Sequence, residues 1–341
     1  MGQTAPQRQC IFERDVCKGR TLGMSRAAVD SMALPFAAPA DRSAVDISWD
    51  RRQSDKRLRG RQPDARQTAK PLAEEEPMRV TILGSGTSLG VPVIGCDCPV
   101  CRSDNPRNKR TRASIFVETA NARLLVDVTP DFRFQALREN IRSLDAVLLT
   151  HEHADHINGL DDLRVFGWYA GRAVPIYSSK AVKDFIEIRF SYAFDPPQEG
   201  GGVPALDLRV ISEPTTLGDI EVIPVRVYHG EMEILGFRFN NFGYVTDCSR
   251  LPEESKARLR GVYVLVLSAL RRESHPTHLT LDDAVALARE LDAGRTYFVH
   301  MTHDLEHEET NKSLPERFEL AYDGLRIEIA DDRCAAPQNH P

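Results

Sequence analysis

No apolar run in this chain approaches the ~20 residues needed to cross a bilayer. The longest, residues 262–270, has the length of one buried strand. A basic excess is also missing. Lys and Arg number 44 against 50 Asp and Glu, a formal charge of −6, which argues against a general nucleic-acid binder. Gly and Pro, 21 each in 341 residues, are too few for a collagenous or low-complexity chain. Seven cysteines, three of them within six positions, do not make a disulfide scaffold and point instead to metal or free thiols. No internal repeat of fixed period is present. What remains is a globular composition, 41% hydrophobic and 28% charged, long enough for one large domain or two ordinary ones.

Residues 1–77 differ from the rest. They hold no Tyr and a single Trp, Trp49, and carry 14 Lys and Arg against 11 Asp and Glu, a net of +3. The other 264 residues carry 30 against 39, a net of −9. The polar stretch 50–70 has no helical or strand period and too little apolar surface to offset chain entropy. We read 1–77 as a disordered extension, 78–332 as the folded domain and 333–341 as a flexible tail. Met78 opens a strand, so translation starting there is an alternative. The stretch 24–40 ends in Ala-Ala-Pro-Ala, but Asp30 interrupts it and no basic-then-apolar order marks a targeting signal. The expected location is therefore cytoplasmic.

Beyond Met78 the pattern is strand-rich with interspersed helices. Strands are predicted at 79–83, 114–118, 123–127, 146–150, 174–178, 220–228, 235–240, 242–246, 262–267, 296–300 and 325–330. Helices are predicted at 130–140, 157–169, 180–191, 252–259, 281–291 and 303–313. In the 281–291 helix, Leu281, Ala284, Val285, Ala288 and Leu291 share a face, with Thr280 as N-cap and Asp283 three residues on. The glycine-rich loop Gly84-Ser85-Gly86-Thr87-Ser88-Leu89-Gly90 mimics a dinucleotide fingerprint. Pro92, Gly95 and a cysteine cluster follow it rather than a helix, so that reading loses its context.

Candidate chemistry gathers at strand ends. Thr150-His151-Glu152-His153-Ala154-Asp155-His156 follows a buried strand and places four metal-ligand side chains in six positions. A loop leaving a rigid strand aims alternate side chains together, so His151 and His153 can bind one ion while Asp155 and His156 face a second. Neutral nitrogen with carboxylate suits zinc and related divalent ions. His229, Asp247 and His300 each follow a predicted strand. Each alone could be a satisfied buried histidine or a turn aspartate; the repetition makes a joint site. Cys96-Asp97-Cys98-Pro99-Val100-Cys101 offers three thiolates on one loop, and a closed tetrahedral zinc needs a fourth ligand. Cys10, Cys17, Cys248 and Cys334 read as free thiols. Arg110, Arg112, Arg271 and Arg272 read as charged surface.

The set His-x-His-x-Asp-His with a later His, Asp and His resembles the metallo-β-lactamase-fold hydrolases. Gly84-Ser-Gly-Thr-Ser-Leu-Gly-Val-Pro-Val-Ile-Gly-Cys-Asp-Cys-Pro-Val-Cys101, His278-Leu-Thr-Leu, His300-Met-Thr-His303 and Tyr322-Asp-Gly-Leu resemble its PhnP-like branch, which includes the phosphoribosyl 1,2-cyclic phosphate phosphodiesterase. The resemblance covers about 78–330. It implies a four-layer αββα sandwich of the α/β (α+β) class.

The resemblance also implies roles. His151, His153 and His229 would hold one metal, and Asp155, His156 and His300 the other. Asp247 would bridge both, with two divalent ions, zinc or manganese, sharing a hydroxide that attacks phosphorus. Asp127 would orient the metal loop and His278 would stabilise or protonate the leaving oxygen. With Asp155 they make up the expected catalytic residues. His275 is the rival to His278, read as a turn residue before Pro276. His303 would complete a structural zinc site with the three cysteines, with His307 as the second choice.

The implied reaction is hydrolysis of a small, cyclic or linear phosphodiester by a soluble enzyme, with a homodimer as the default assembly. The acidic body lacks a long basic arm, which disfavours a tRNA 3′-processing endonuclease. A thioesterase would lack the cysteine site. A non-catalytic cofactor-biosynthesis binding protein would not be expected to keep the full ligand set.

Overall fold

Residues 77–195 and 202–329 are described by a computed structural model. The expectations for 1–76, for the C-terminal tail and for Cys10, Cys17 and Cys334 lie outside these residues. In chain order the first half forms β1 (Met78–Gly84), α1 (Pro99–Arg102), β2 (Ser114–Glu118), β3 (Arg123–Val126), α2 (Phe132–Arg138), β4 (Ala146–Leu148), α3 (Ala154–Ile157), α4 (Arg164–Ala170), β5 (Val174–Ser178), α5 (Lys180–Arg189) and β6 (Leu206–Val210). The second half forms β7 (Thr215–Leu217), β8 (Ile220–His229), β9 (Met232–Phe239), β10 (Phe242–Val245), α6 (Glu253–Leu259), β11 (Val264–Ser268), α7 (Leu281–Glu290), β12 (Arg295–Val299), α8 (His307–Ser313), β13 (Phe318–Leu320) and β14 (Arg326–Ile329).

The strands make two seven-stranded sheets, ordered β14-β1-β2-β3-β4-β5-β6 and β13-β12-β11-β10-β9-β8-β7. Each sheet is antiparallel in one half and parallel in the other. Successive strand residues face opposite sides, so the apolar runs serve two cores at once. Val80, Ile82, Leu124 and Val126 of the first sheet share the inter-sheet core with Phe237, Phe239, Tyr244, Val264 and Val266 of the second. The residues between them face outward. Leu125 and Val147 pack with Phe132 of α2 and Val182 and Ile186 of α5. Leu265 and Leu267 pack with Leu259 of α6 and Leu281, Ala284 and Ala288 of α7. The result is the four-layer αββα sandwich, stabilised by about 1.5–3 kcal/mol per fully buried large side chain.

The expected capping box at Thr280 and Asp283 is present. Two helices differ from expectation. The stretch 157–169 is broken into α3, a 3-10 turn (Leu160–Leu163) and α4. The break is at Gly159, whose N–H donates to the Val128 carbonyl rather than continuing a helix, and where a Cβ would lie 2.0 Å from the Thr129 carbonyl oxygen. The second helix starts only at His307, because Glu306 caps it by accepting from the Glu309 N–H. Residues 303–305 therefore remain a turn. The strands β6, β7 and β13 were not anticipated; all three are short and lie at or next to a sheet edge, where burial is weak. No helix among the described residues is long and apolar enough to cross a membrane.

Candidate metal centres

Five strands deliver the site. Asp127 follows β3, the His151–His156 loop follows β4, His229 ends β8, Asp247 stands two residues beyond β10 and His300 follows β12. Asp127, Asp247 and His300 have left-handed backbones, with φ of 63°, 52° and 58°. Non-glycine residues rarely take this conformation, and each instance costs about 1–3 kcal/mol. Three of them here turn side chains sharply off strand ends into one buried space.

Hydrogen bonds set which histidine nitrogen faces that space. The Thr277 carbonyl only accepts, so His229 Nδ1, 2.8 Å away, carries the proton and Nε2 keeps a lone pair. His156 Nδ1 lies 2.7 Å from Asp127 Oδ2 and donates to it, which again leaves the Nε2 lone pair. Thr150 Oγ1 lies 2.9 Å from Asp127 Oδ2 and donates to that acceptor-only carboxylate. It therefore accepts from His151 Nδ1, also 2.9 Å away, and His151 presents Nε2. One carboxylate thus orients His156 directly and His151 through a hydroxyl. The Thr150 N–H and the Val128 N–H, the latter donating to the His156 carbonyl at 2.7 Å, lock the two loops together. Thr150 was missed in the sequence; its only signal there is its place directly before the histidine motif.

The donors converge. His151 Nε2 and His153 Nδ1 are 3.0 Å apart. His156 Nε2 lies 3.2 Å from Asp155 Oδ2 and 3.3 Å from Asp247 Oδ2, and His300 Nε2 lies 3.1 Å from Asp247 Oδ1. Three groupings each bring their donor atoms within 4.8 Å: His151, His156 and Asp247; Asp155, His156 and His300; His229, Asp247 and His278. Asp247 thus lies between two histidine groups. His153 joins through His151 and His229, its ring 5.2 Å from that of His229. His278 stands among these donors as well, its ring 4.6 Å from His229 and 5.0 Å from His300. His275 lies in the irregular segment before Pro276, with its ring 5.0 Å from that of His278.

The residues fit divalent metal. Three carboxylates surround the fully buried His156, and such charge is costly without a counter-charge. Burial opposes a charged His156, yet Asp247, Asp127 and Asp155 drive its pKa well above the usual imidazole range. In the absence of metal a proton on Nε2 therefore supplies the positive charge that a cation would replace, freeing that lone pair. Burial likewise opposes ionised Asp247, and His300 and His156 outweigh it and hold the carboxyl well below its usual range. Burial and His156 push His151 well below. His156 Nε2 and both ring nitrogens of His300 are buried without hydrogen-bond partners. Cations bound among these lone pairs would satisfy the orphaned nitrogens and the carboxylates together.

A second cluster lies nearby in the chain. Cys96, Cys98 and Cys101 place their Sγ atoms 3.3, 3.4 and 3.3 Å from His303 Nδ1. A tetrahedral zinc with bonds of about 2.3 Å to sulfur and about 2.0–2.1 Å to nitrogen separates its donors by about 3.5 Å, so this set matches. His307 is not part of it: its Nε2 lies 3.1 Å from Asn311 Nδ2 and its ring stands edge-on to Tyr322. Cys248 is a buried free thiol, its pKa pushed up to about 12 by burial.

The glycine-rich loop braces this region. The Ser85 N–H and hydroxyl and the Thr111 N–H and hydroxyl all donate to the part-buried Asp323 carboxylate, at 2.6–2.9 Å. The Met301 N–H donates to the Ser85 carbonyl, and the Thr87 N–H to the Met301 carbonyl. Arg112 pairs with Asp131 at 3.1 Å. Arg110 is not surface charge; it is 2% exposed and lies under the turn that carries His303.

Residues 122–301, more than half of the chain, match the Beta-lactamase superfamily domain. A crystal structure described as a new diphosphatase from the PhnP family is 45% identical, with a TM-score of 0.70, and the match covers 74% of this chain and 97% of that one. A Porphyromonas gingivalis protein named octanoyltransferase is 40% identical over 261 residues, 75% of this chain. The chain spans about half, 52%, of that relative's length. Zinc-bound PqqB from Methylobacterium extorquens shares the fold at 22% identity and a TM-score of 0.60, covering 74% of this chain and all of that one.

Proposed function

Because the chain belongs to the PhnP family of metallo-β-lactamase-fold hydrolases, we propose that it is a dinuclear metal-dependent phosphodiesterase acting on a small phosphodiester. His151, His153 and His229 would hold one divalent ion, Asp155, His156 and His300 the other, with Asp247 common to both. Cys96, Cys98, Cys101 and His303 would hold a structural zinc. Ions bound at the His/Asp set supply Lewis-acid stabilisation of phosphoryl charge and acidify water to a nucleophile at neutral pH.

The chain's own groups do the rest. Asp127 holds His156 Nδ1 directly and His151 Nδ1 through Thr150, keeping both Nε2 lone pairs on the site. Burial and the neighbouring His300 push His278 down to about 3, so it is neutral at working pH. It therefore serves the leaving oxygen as a neutral N–H donor, not as a reservoir of a free proton. The observation that carries the reading is the convergence of three carboxylates and orphaned imidazole nitrogens at five strand ends. The diphosphatase neighbour favours a second reading, in which the cleaved bond is a phosphoanhydride.

Turnover of bis-p-nitrophenyl phosphate, of cyclic phosphodiesters and of a dinucleoside diphosphate with manganese or zinc tests both, with metal content measured on the same sample. The expected result is two ions at the His/Asp set and cleavage of a phosphodiester. Cleavage of the anhydride alone selects the second reading. A protein that holds both ions and cleaves none of these substrates overturns both.

A further inference from the structure

Residues 302–305 leave β12 without entering α8, so their carbonyls have no helix to satisfy them. Arg110 supplies the missing donors. Its Nη1 donates to the Thr302 carbonyl at 2.7 Å and its Nη2 to the Leu305 carbonyl at 2.6 Å. The same Nη2 reaches Asn108 Oδ1 at 3.4 Å, and that oxygen also accepts from the His307 N–H at 2.9 Å. His303 sits between the two clamped carbonyls and aims Nδ1 at the three cysteines. His300 stands two residues before the first clamped carbonyl.

The backbone of Arg110 is tied down as well. Its N–H donates to the Val91 carbonyl at 2.7 Å, and the Val91 N–H donates back at 2.8 Å. Val91 packs with Val100 and Cys101 in the small apolar cluster beneath the cysteines. One residue therefore bonds the stem of the cysteine loop through its backbone and the histidine turn through its side chain. Gly86 lets it in: a Cβ there would lie 2.9 Å from Arg110 Cβ.

This is an expensive placement. Among the described residues no carboxylate lies within ion-pair distance of Arg110, and its Nε is buried without a partner. Burial pushes the guanidinium down to about 10, with Asp323 and Glu306 opposing. A dry cation whose hydrogen-bond partners are all neutral carbonyl oxygens is costly to bury. Packing alone does not call for one, since an apolar side chain of similar volume would avoid that cost. A planar fork that bridges two carbonyls does call for arginine, and lysine cannot reproduce it.

We propose that Arg110 is a positioning residue for both metal sites, clamping the 302–305 turn so that His303 meets the cysteines and His300 meets Asp247. The part concerning catalysis rests on the hydrolase reading; the part concerning zinc does not.

Arg110→Met and Arg110→Lys test it on metal-loaded protein. At a temperature where circular dichroism shows both fully folded, zinc release from the cysteine site to a chromogenic chelator should speed up about 10–100-fold in Arg110→Met. Arg110→Lys should fall between the two. On any phosphodiester that wild type cleaves, kcat should drop about 10-fold or more with KM within a few-fold. In the double variant with His303→Ala, Arg110→Met should add little, because the turn is already uncoupled from the cysteines. Wild-type zinc release in a folded Arg110→Met, or full additivity with His303→Ala, overturns the proposal. If Arg110→Met does not fold, Arg110→Lys decides: release at the wild-type rate overturns it. A wild type that cleaves no phosphodiester defeats the functional reading and leaves the zinc-release arm standing.

Discussion

His278 is the residue whose structural setting most changes its expected chemistry. An imidazole held at about 3 is neutral when unfolded chains, at 6.5, begin to take protons. Its folded value is depressed, so the stability its neutrality contributes is present above pH 6.5 and is lost as pH falls through 6.5 towards 3. His278→Gln should flatten that acid-side fall in the melting temperature of the metal-free protein. The same variant should lose about 10²–10³-fold in kcat, the usual cost of one charge-stabilising donor, while keeping its metal. Steady-state kinetics and metal analysis check both; unchanged kcat would remove His278 from the mechanism. The seven candidate ligands were readable in the sequence because each follows an apolar strand, which is a local pattern. Thr150 and Arg110 were not, because their roles depend on a carboxylate or a turn supplied from elsewhere in the chain.

Among the elements, the cysteine loop has the clearest independent test. Its four-residue helix α1 carries Cys101, and Cys98 caps it by accepting the Cys101 N–H. Cys98→Ala removes a cap and a thiolate together and should release one equivalent of zinc. Structural zinc contributes directly to folding, and each kcal/mol lost moves the melting temperature of a ~250-residue domain by about 2–4 °C. Unaltered zinc content, measured by mass spectrometry under native conditions, would refute the site. Element boundaries were legible where a cap or an apolar period marks them, as at Thr280. They were misread at 157–169 and 303–306, where backbone groups bond to other loops instead of their own helix. The half-exposed strands near the sheet edges carry too little apolar signal to stand out from loop.

Across the whole molecule, two sheets and four layers hold strand ends from both halves of the chain against one buried space. That is why a single candidate ligand set can draw on His151 and His300, far apart in sequence. The three left-handed backbones at Asp127, Asp247 and His300 put a price on the arrangement. The positions proposed to do the chemistry are those where the fold would rest more easily with glycine. Activity and robustness therefore pull against each other at the same three residues. His300→Gly should abolish turnover, and the metal-free variant should melt no lower than metal-free wild type. A lower melting temperature would mean the strain is not stored there. If the proposed ions bind, the protein without them carries backbone conformations that nothing else at the site offsets.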